Sequence, residues 1–311
     1  MAGGFVRFGI SVGLLAVLAL VVADPRDVGR LIAGARLPEL LAAAAIVAGD
    51  RVLMAYKWRL LLLARGVRLD LWTAVRAYFA TTFAGLFLPV TVGADAIRVL
   101  SVRRLGVYDV TASILVERVV GVIAVATLAV VSSTLLVGWL SGLEPRRVAA
   151  LVTGTAVVGV GAFIASLWGL GDWVGRRFAE GSRASKLWSA YLAYRQHPGT
   201  LLVFYLLSIG ESLLPVAVTY IIGHSLGIDL SLGVLVATVP VALTIARLPI
   251  SLGGFGVQEF SFVYLVGLFG VAATEGLAVM IVGDAVLILT LLPSAFDVSM
   301  LNLRRSDAGT P

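Results

Sequence analysis

The sequence predicts an all-α polytopic membrane protein, with about six full transmembrane helices and two opposed re-entrant helical hairpins in an inverted repeat. Three observations carry this. The first is composition. Of 311 residues, 59% are hydrophobic and 14% charged, and the mean hydropathy is +1.01. A soluble domain carries about 25% charged residues, so the chain belongs in a bilayer and leaves no stretch for a separate soluble domain. The second is a repeated break. Leu88-Pro89-Val90-Thr91-Val92-Gly93-Ala94 recurs 160 residues later as Leu248-Pro249-Ile250-Ser251-Leu252-Gly253-Gly254. Each copy interrupts an apolar run with proline, a hydroxyl and glycine. Proline frees a backbone carbonyl, and bare backbone is tolerated at membrane depth only inside protein or along a polar cavity. Matching breaks in two halves point to a transporter's binding site. The third is the distribution of basic residues, taken up once the elements are in place.

The first apolar run, Phe5 to Ala23, reads as a retained helix rather than a signal peptide, because its core from Phe8 is long. Residues 24–36 read as a short polar link. A second helix runs from Pro38 to Leu63 and carries Asp50-Arg51 near its middle. Lys57, Arg59, Arg65, Arg68 and Arg76 follow as a basic cluster. The next apolar run, Tyr78 to Val92, is about 15 residues where a crossing needs about 20. A second basic cluster, Arg98, Arg103 and Arg104, comes after it. Two basic clusters do not sit on opposite faces of one short run, so residues 78–104 read as a hairpin that enters and leaves on one side.

A helix from Val110 to Leu140 follows, then an external link at 144–147 and a helix over Val148 to Leu170. Residues 172–197 are basic and amphipathic. Trp188, Tyr191, Leu192 and Arg195 recur at helical spacing, the pattern of a helix lying on the membrane. A helix from Thr200 to Ile222 precedes the second hairpin, residues 230–270. A last helix, Leu277 to Val298, leads to a cytoplasmic tail, 301–311.

With the N-terminus inside, 16 basic residues face the cytoplasm, five lie outside and three within the membrane. The bias fits the positive-inside rule. It opens the first hairpin inward and the second outward, so that residues 1–140 and 147–300 form halves of opposite orientation. Both termini are then cytoplasmic, and the plasma membrane is the expected location.

Intramembrane charges are expensive and mark function by default. Arg51, Asp95, Arg98, Glu117, Arg118, Arg247 and Glu259 are the candidate substrate-binding residues. Arginine suits a phosphate because its fork is bidentate, and Arg98 is placed to meet a lipid phosphate at the inner surface. Pro89, Thr91, Gly93, Pro249, Ser251, Gly253 and Gly254 line the cavity as helix breaks. Asp50, Glu211 and Asp284 are candidate coupling acids. Glu117 and Arg118 point about 100° apart on a helix, so each needs its own partner. For any one charge the plain alternative is a structural ion pair. Asp95 reads equally as a helix cap, and Gly253-Gly254-Phe255-Gly256 as a packing turn.

Cysteine is absent and the two histidines lie apart, so no metal set is legible. There is no phosphate-binding loop, zincin helix or dinucleotide fingerprint, and no cofactor is expected. The net charge of +6 suits anionic lipid better than nucleic acid. The expected partners are membrane lipids, anionic or phosphate-bearing, with a homodimer or a membrane enzyme as a further partner.

The chain resembles the flippase-like transmembrane family named after lysylphosphatidylglycerol synthase. The resemblance covers nearly the whole chain. It rests on Lys57-Trp58-Arg59, on Leu88-Pro89 through Gly93-Ala94-Asp95 and Arg98, on Glu117-Arg118-Val119-Val120-Gly121, and on Leu248 through Glu259. Gly93-Ala94 stands where that family usually shows two glycines. The resemblance implies lipid translocation, or service to lipid-linked glycan or hopanoid pathways. It does not extend to the soluble domain that aminoacylates lipid in the fused synthases. The expected function is a lipid translocase without catalysis; a lipid-binding accessory protein and an intramembrane transferase are the alternatives.

Overall fold

The computed structural model describes residues 2–18, 24–87, 95, 98, 99, 102, 105–141, 144, 147, 150, 154, 157, 158, 161, 164, 165, 173, 175–178, 181–246 and 254–294; the side chains of 2–8, 84–87 and 140 lie outside that description. Outside it also fall Pro89, Thr91, Gly93, Arg247, Pro249, Ser251 and Gly253, the tips of both expected hairpins, most of the expected helix over 148–170, and the tail.

The described elements are helical throughout. They are α1 (Ala2–Val17), α2 (Pro25–Ala33), α3 (Leu37–Ala64), α4 (Leu71–Phe87), α5 (Val107–Ser141), α6 (Arg183–Leu192), α7 (Pro198–Ser225), α8 (Leu232–Ala246), α9 (Val257–Gly267) and α10 (Ala273–Leu291), with short 3-10 turns at Ala193–Gln196 and Leu292–Ser294. Among the described residues, α5, α7 and α10 with its 3-10 extension are each long and apolar enough to cross a bilayer. The bent pair α2–α3 is a fourth candidate. These helices present Val122, Val137, Leu202, Leu206 and Leu289 outward. So much exposed apolar surface is unstable in water and at home in lipid. The protein is membrane-embedded and multi-pass.

The expected link at 24–36 is instead a helix. Asp24 caps it by accepting the Arg26 N–H at 2.8 Å, Pro25 opens it and Gly34 closes it. A carboxylate cap and a proline in the first turn are helix-start signals. The chain then turns 91° into α3. The amphipathic segment at 172–197 holds α6, capped by Ser182 Oγ accepting the Ser185 N–H at 3.0 Å. Its Tyr191 is buried in a cluster with Leu61, Val116, Val120 and Phe204, so one face of α6 packs on the bundle.

Helices α3 and α7 run antiparallel at the centre. The Arg36 N–H donates to the Ser225 carbonyl at 3.0 Å at one end. At the other, Tyr194 Oη donates to the Leu61 carbonyl at 3.1 Å. Burial pushes the Tyr194 phenol well above its ordinary range, so it stays a donor. The remaining helices pack around this pair. Helix α4 packs on α3, and α8 on α7; α2 lies on α10, and α6 on α5; α10 meets α3, and α5 meets α7.

One proline within a helix is answered by a neighbour. Pro240 in α8 supplies no N–H for the Val236 carbonyl. Ser132 of α5, fully buried, donates to that carbonyl at 2.7 Å. Gly256 adopts φ +84°, and a Cβ there would lie 2.7 Å from the Ser11 carbonyl of α1. Only glycine permits both that conformation and that approach.

Candidate functional site

Four predicted residues meet where the chain resumes after its first break. Arg98 is 2% exposed. Its Nη1 donates to both oxygens of Glu117 on α5, at 3.0 and 3.1 Å. Its guanidinium is held between two rings, with its centre 4.8 Å from Trp58 of α3 and 4.7 Å from Tyr78 of α4. Tyr78 Oη also donates to Glu117, and Trp58 Nε1 donates to Ser113 at 2.9 Å. One turn before Arg98, Asp95 accepts from Arg118 Nε at 2.6 Å. Asp95 Oδ1 also lies 3.6 Å from Arg98 Nη2, close enough for an ion pair but too far for a hydrogen bond.

Arg98 therefore keeps two donor nitrogens, Nε and Nη2, buried and without a hydrogen-bond partner. An unsatisfied donor in the interior costs about 1–3 kcal/mol, and an arginine holds its donors in a planar fork suited to carboxylate or phosphate. Arg118 is 48% exposed on its side chain. The site thus has a buried cation with spare donors and an accessible cation beside it. Glu117 lies eight residues beyond Asp109, which pairs with Arg65 at 3.1 Å near the helix ends. That is about 12 Å along the axis, so the site is well below the helix ends.

This corrects two expectations. Arg98 is not an interfacial side chain but the centre of the cluster, because Glu117 and two rings enclose it. Lys57 does not belong to the cytoplasmic basic cluster. It is buried, donates to Ser208 Oγ at 2.8 Å and to Glu211 of α7, and lies 4.7 Å from the Phe204 ring. Lys57 sits seven residues inside the end of α3, about 10 Å from it, where a bare ammonium is costly and needs a partner.

Glu117 and Arg118 do take different partners, as their spacing requires. Asp50 and Arg51 do not: they pair with each other, leaving Asp50 Oδ1 and Arg51 Nε buried and unsatisfied. Glu211 is the partner of Lys57. Glu259 is 1% exposed at the start of α9. Its Oε2 accepts the Gly256 N–H at 2.6 Å, and α10, which carries Asp284, packs on α9. Gly254 adopts φ +89°, and a Cβ there would lie 3.3 Å from the Ala246 carbonyl, so that turn does need glycine. The second half also holds a small cleft, lined by Pro215, Thr219, Val239, Leu243, Gln258 and Phe262 among others.

Lys57, Trp58, Tyr78, Ser113 and Ser208 are the residues that sequence reasoning did not place in the site. For Lys57 the signal was depth within a long helix. The others are uncharged, and only the fold brings them to Arg98 or Lys57. Among the described residues no group of three or more histidines or acids is arranged to hold a metal ion.

A family model described as lysylphosphatidylglycerol synthase TM region matches residues 5–294. No curated protein matches the chain.

Proposed function

This chain belongs to the family of the lysylphosphatidylglycerol synthase TM region, and on that premise we propose that it is a lipid translocase, moving a phospholipid or other amphipathic lipid between leaflets. The carrying observation is Arg98. It is the buried cation in the cluster whose fork still has two donor nitrogens to give. A phosphate offers the matching acceptors. Arg118, half-exposed and one residue from Glu117, is the point of first contact. The headgroup passes through the polar site while the acyl chains stay in lipid. The family's description, naming a lipid-synthesising membrane protein, supports a membrane-lipid role.

We further read the chain as an inverted repeat of residues 1–140 and 147–300. Several features support this. Helices α2, α3, α4 and α5 are followed in the same order by α6, α7, α8 and α10, offset by about 160 residues over α2 to α4. Exchanging these pairs carries each packing contact onto another that exists: α3 with α4 onto α7 with α8, α2 with α10 onto α6 with α5, α3 with α10 onto α7 with α5. The equivalent helices α3 and α7 run antiparallel, as inverted topology requires. The contact of Arg36 with Ser225 then lies outside, and those of Leu61 with Tyr194 and Arg65 with Asp109 lie inside. That orientation puts both termini in the cytoplasm and fits a plasma-membrane protein.

Reconstitution tests the function. Purified protein goes into vesicles of phosphatidylcholine and phosphatidylglycerol carrying a headgroup-labelled lipid, with an impermeant quencher outside. Loss of the inner-leaflet signal supports translocation. Intact lipid with no loss overturns it in favour of an accessory binder, and a chemically altered lipid overturns it in favour of a transferase.

A further inference from the structure

Arg98 and Arg118 present the same edge of their forks, one open and one taken. In a guanidinium, Nε and Nη2 carry parallel N–H groups along one edge, which suits two oxygens of a carboxylate or phosphate. On Arg98 both nitrogens of that edge are buried and unpartnered, because Glu117 is held by Nη1. On Arg118, Nε donates to Asp95 Oδ2 at 2.6 Å and Nη2 pairs with the same oxygen. The other oxygen, Oδ1, lies 3.6 Å from Arg98 Nη2. Asp95 thus sets one oxygen on one arginine and turns the other toward the second, as a phosphate between them would.

The two acids of the cluster are not equivalent. Glu117 accepts two bonds from Arg98 and a third from Tyr78, so it is a fixed part of the wall around Arg98. Asp95 is held by Arg118, the exposed member of the cluster. The four charges balance, two arginines against two acids. A phosphate that enters with Asp95 in place sets a third negative charge against two positive ones. Near a protein surface such repulsion is about four times stronger than in water, and stronger still in the interior. A phosphate that takes the place of Asp95 keeps the pairing.

We propose that Asp95 is a tethered counter-anion: it occupies the phosphate position between Arg98 and Arg118 and gives it up when the lipid headgroup enters. This deepens the translocase reading and rests on it for the identity of the ligand. Two arginines with no competitor would grip a phosphate too firmly to pass it on, and a conducting site must bind weakly enough to release. Asp95 competes for the same edges. It is fixed to the chain three residues before Arg98, so it returns as the phosphate leaves. Its charge sets the affinity and the lifetime of the bound headgroup.

The test is binding rather than transport. Purified full-length protein is titrated with short-chain phosphatidylglycerol, with diacylglycerol as control. Affinity and dissociation rate are read for wild type, Asp95→Asn and Asp95→Ser. Asparagine and serine cap a helix about as well as aspartate, so a capping role survives in both variants and the charge alone is lost. The expected result is phosphate-dependent binding that tightens by about tenfold or more, with the gain in slower dissociation. Asp109→Asn removes the same charge from the Arg65 pair, outside the cluster, and should keep wild-type affinity. Unchanged or weaker binding by a folded Asp95 variant overturns the proposal and leaves Arg98 as a phosphate site. An equal gain in Asp109→Asn overturns it in favour of a general charge effect. If neither Asp95 variant folds, the carboxylate is a structural anion rather than a displaceable one, and the proposal is again overturned. No phosphate-dependent affinity in the wild-type protein sinks the phosphate reading of Arg98 and this proposal with it.

Discussion

Replacing Arg98 with lysine separates a ligand-binding role from a structural one. Lysine keeps the charge, one bond to Glu117 and the two ring contacts, but it loses the fork. If Arg98 only fastens helices, little changes. The wild-type residue already carries two buried donors with no partner, each costing about 1–3 kcal/mol. Removing them offsets the lost second bond to Glu117, so thermal unfolding of Arg98→Lys should lie within about 1 kcal/mol of wild type. If one N–H from each of these two nitrogens receives a phosphate, the loss is larger. Hydrogen bonds to charged groups contribute about 1.5–3 kcal/mol each. Two of them amount to about 3–6 kcal/mol. The lysine recovers part as a point charge, so the lower end applies: about 3 kcal/mol, or roughly 100-fold in affinity. The assay is titration of a phosphate-headgroup lipid into purified protein, with diacylglycerol as control. Wild-type affinity in a folded Arg98→Lys protein would refute the phosphate role.

Three further outcomes follow from other contacts. Glu211→Leu strands the Lys57 ammonium and should destabilise by about 3–5 kcal/mol, whereas the double variant Lys57→Met, Glu211→Leu should recover most of that loss; equal loss in both, by thermal unfolding, would show that the pair's partner is elsewhere. Ser132→Ala leaves the Val236 carbonyl unpaired opposite Pro240 and should cost about 1–3 kcal/mol, against a near-neutral Thr134→Ala, whose hydroxyl bonds only its own helix. A single cysteine in place of Arg68 should react with an impermeant thiol reagent from the cytoplasm and one in place of Glu144 from outside, with no native cysteine to interfere; reaction from one side for both would remove the assigned orientation of α5.

Much of the frame is legible in the sequence because its signals are local. Pro38 and Pro198 open α3 and α7 at first-turn positions, where proline is tolerated, and both boundaries fall within three residues of expectation. The intramembrane charges announce themselves by cost alone, so Asp95, Arg98, Glu117 and Arg118 are visible before any fold is known. Their pairing is not. That Glu117 serves Arg98 while Arg118 serves Asp95 depends on how the chain returns between residues 99 and 107, which periodicity does not encode. Lys57 was misplaced because a count of basic residues ignores depth, and two turns of helix separate an anchor from a buried cation. Residues 24–36 read as a link because their polarity outweighed Asp24, Pro25 and Gly34, the three residues that make α2 a helix.

The proposed repeat duplicates a backbone but not its chemistry. At the offset of 160 residues, Arg98 corresponds to Gln258, Asp95 to Phe255, Glu117 to Leu277 and Arg118 to Ala278. Gln258 lines the cleft of the second half, where an amide replaces the fork. The second half carries its own buried acid instead, for Glu259 corresponds to Val99. A symmetric frame gives two arrangements of similar energy, related by exchanging the halves. Unequal side chains then decide what biases each. In the proposed reading, phosphate favours one arrangement through the first half, where the spare donors are, by its difference in affinity for the two.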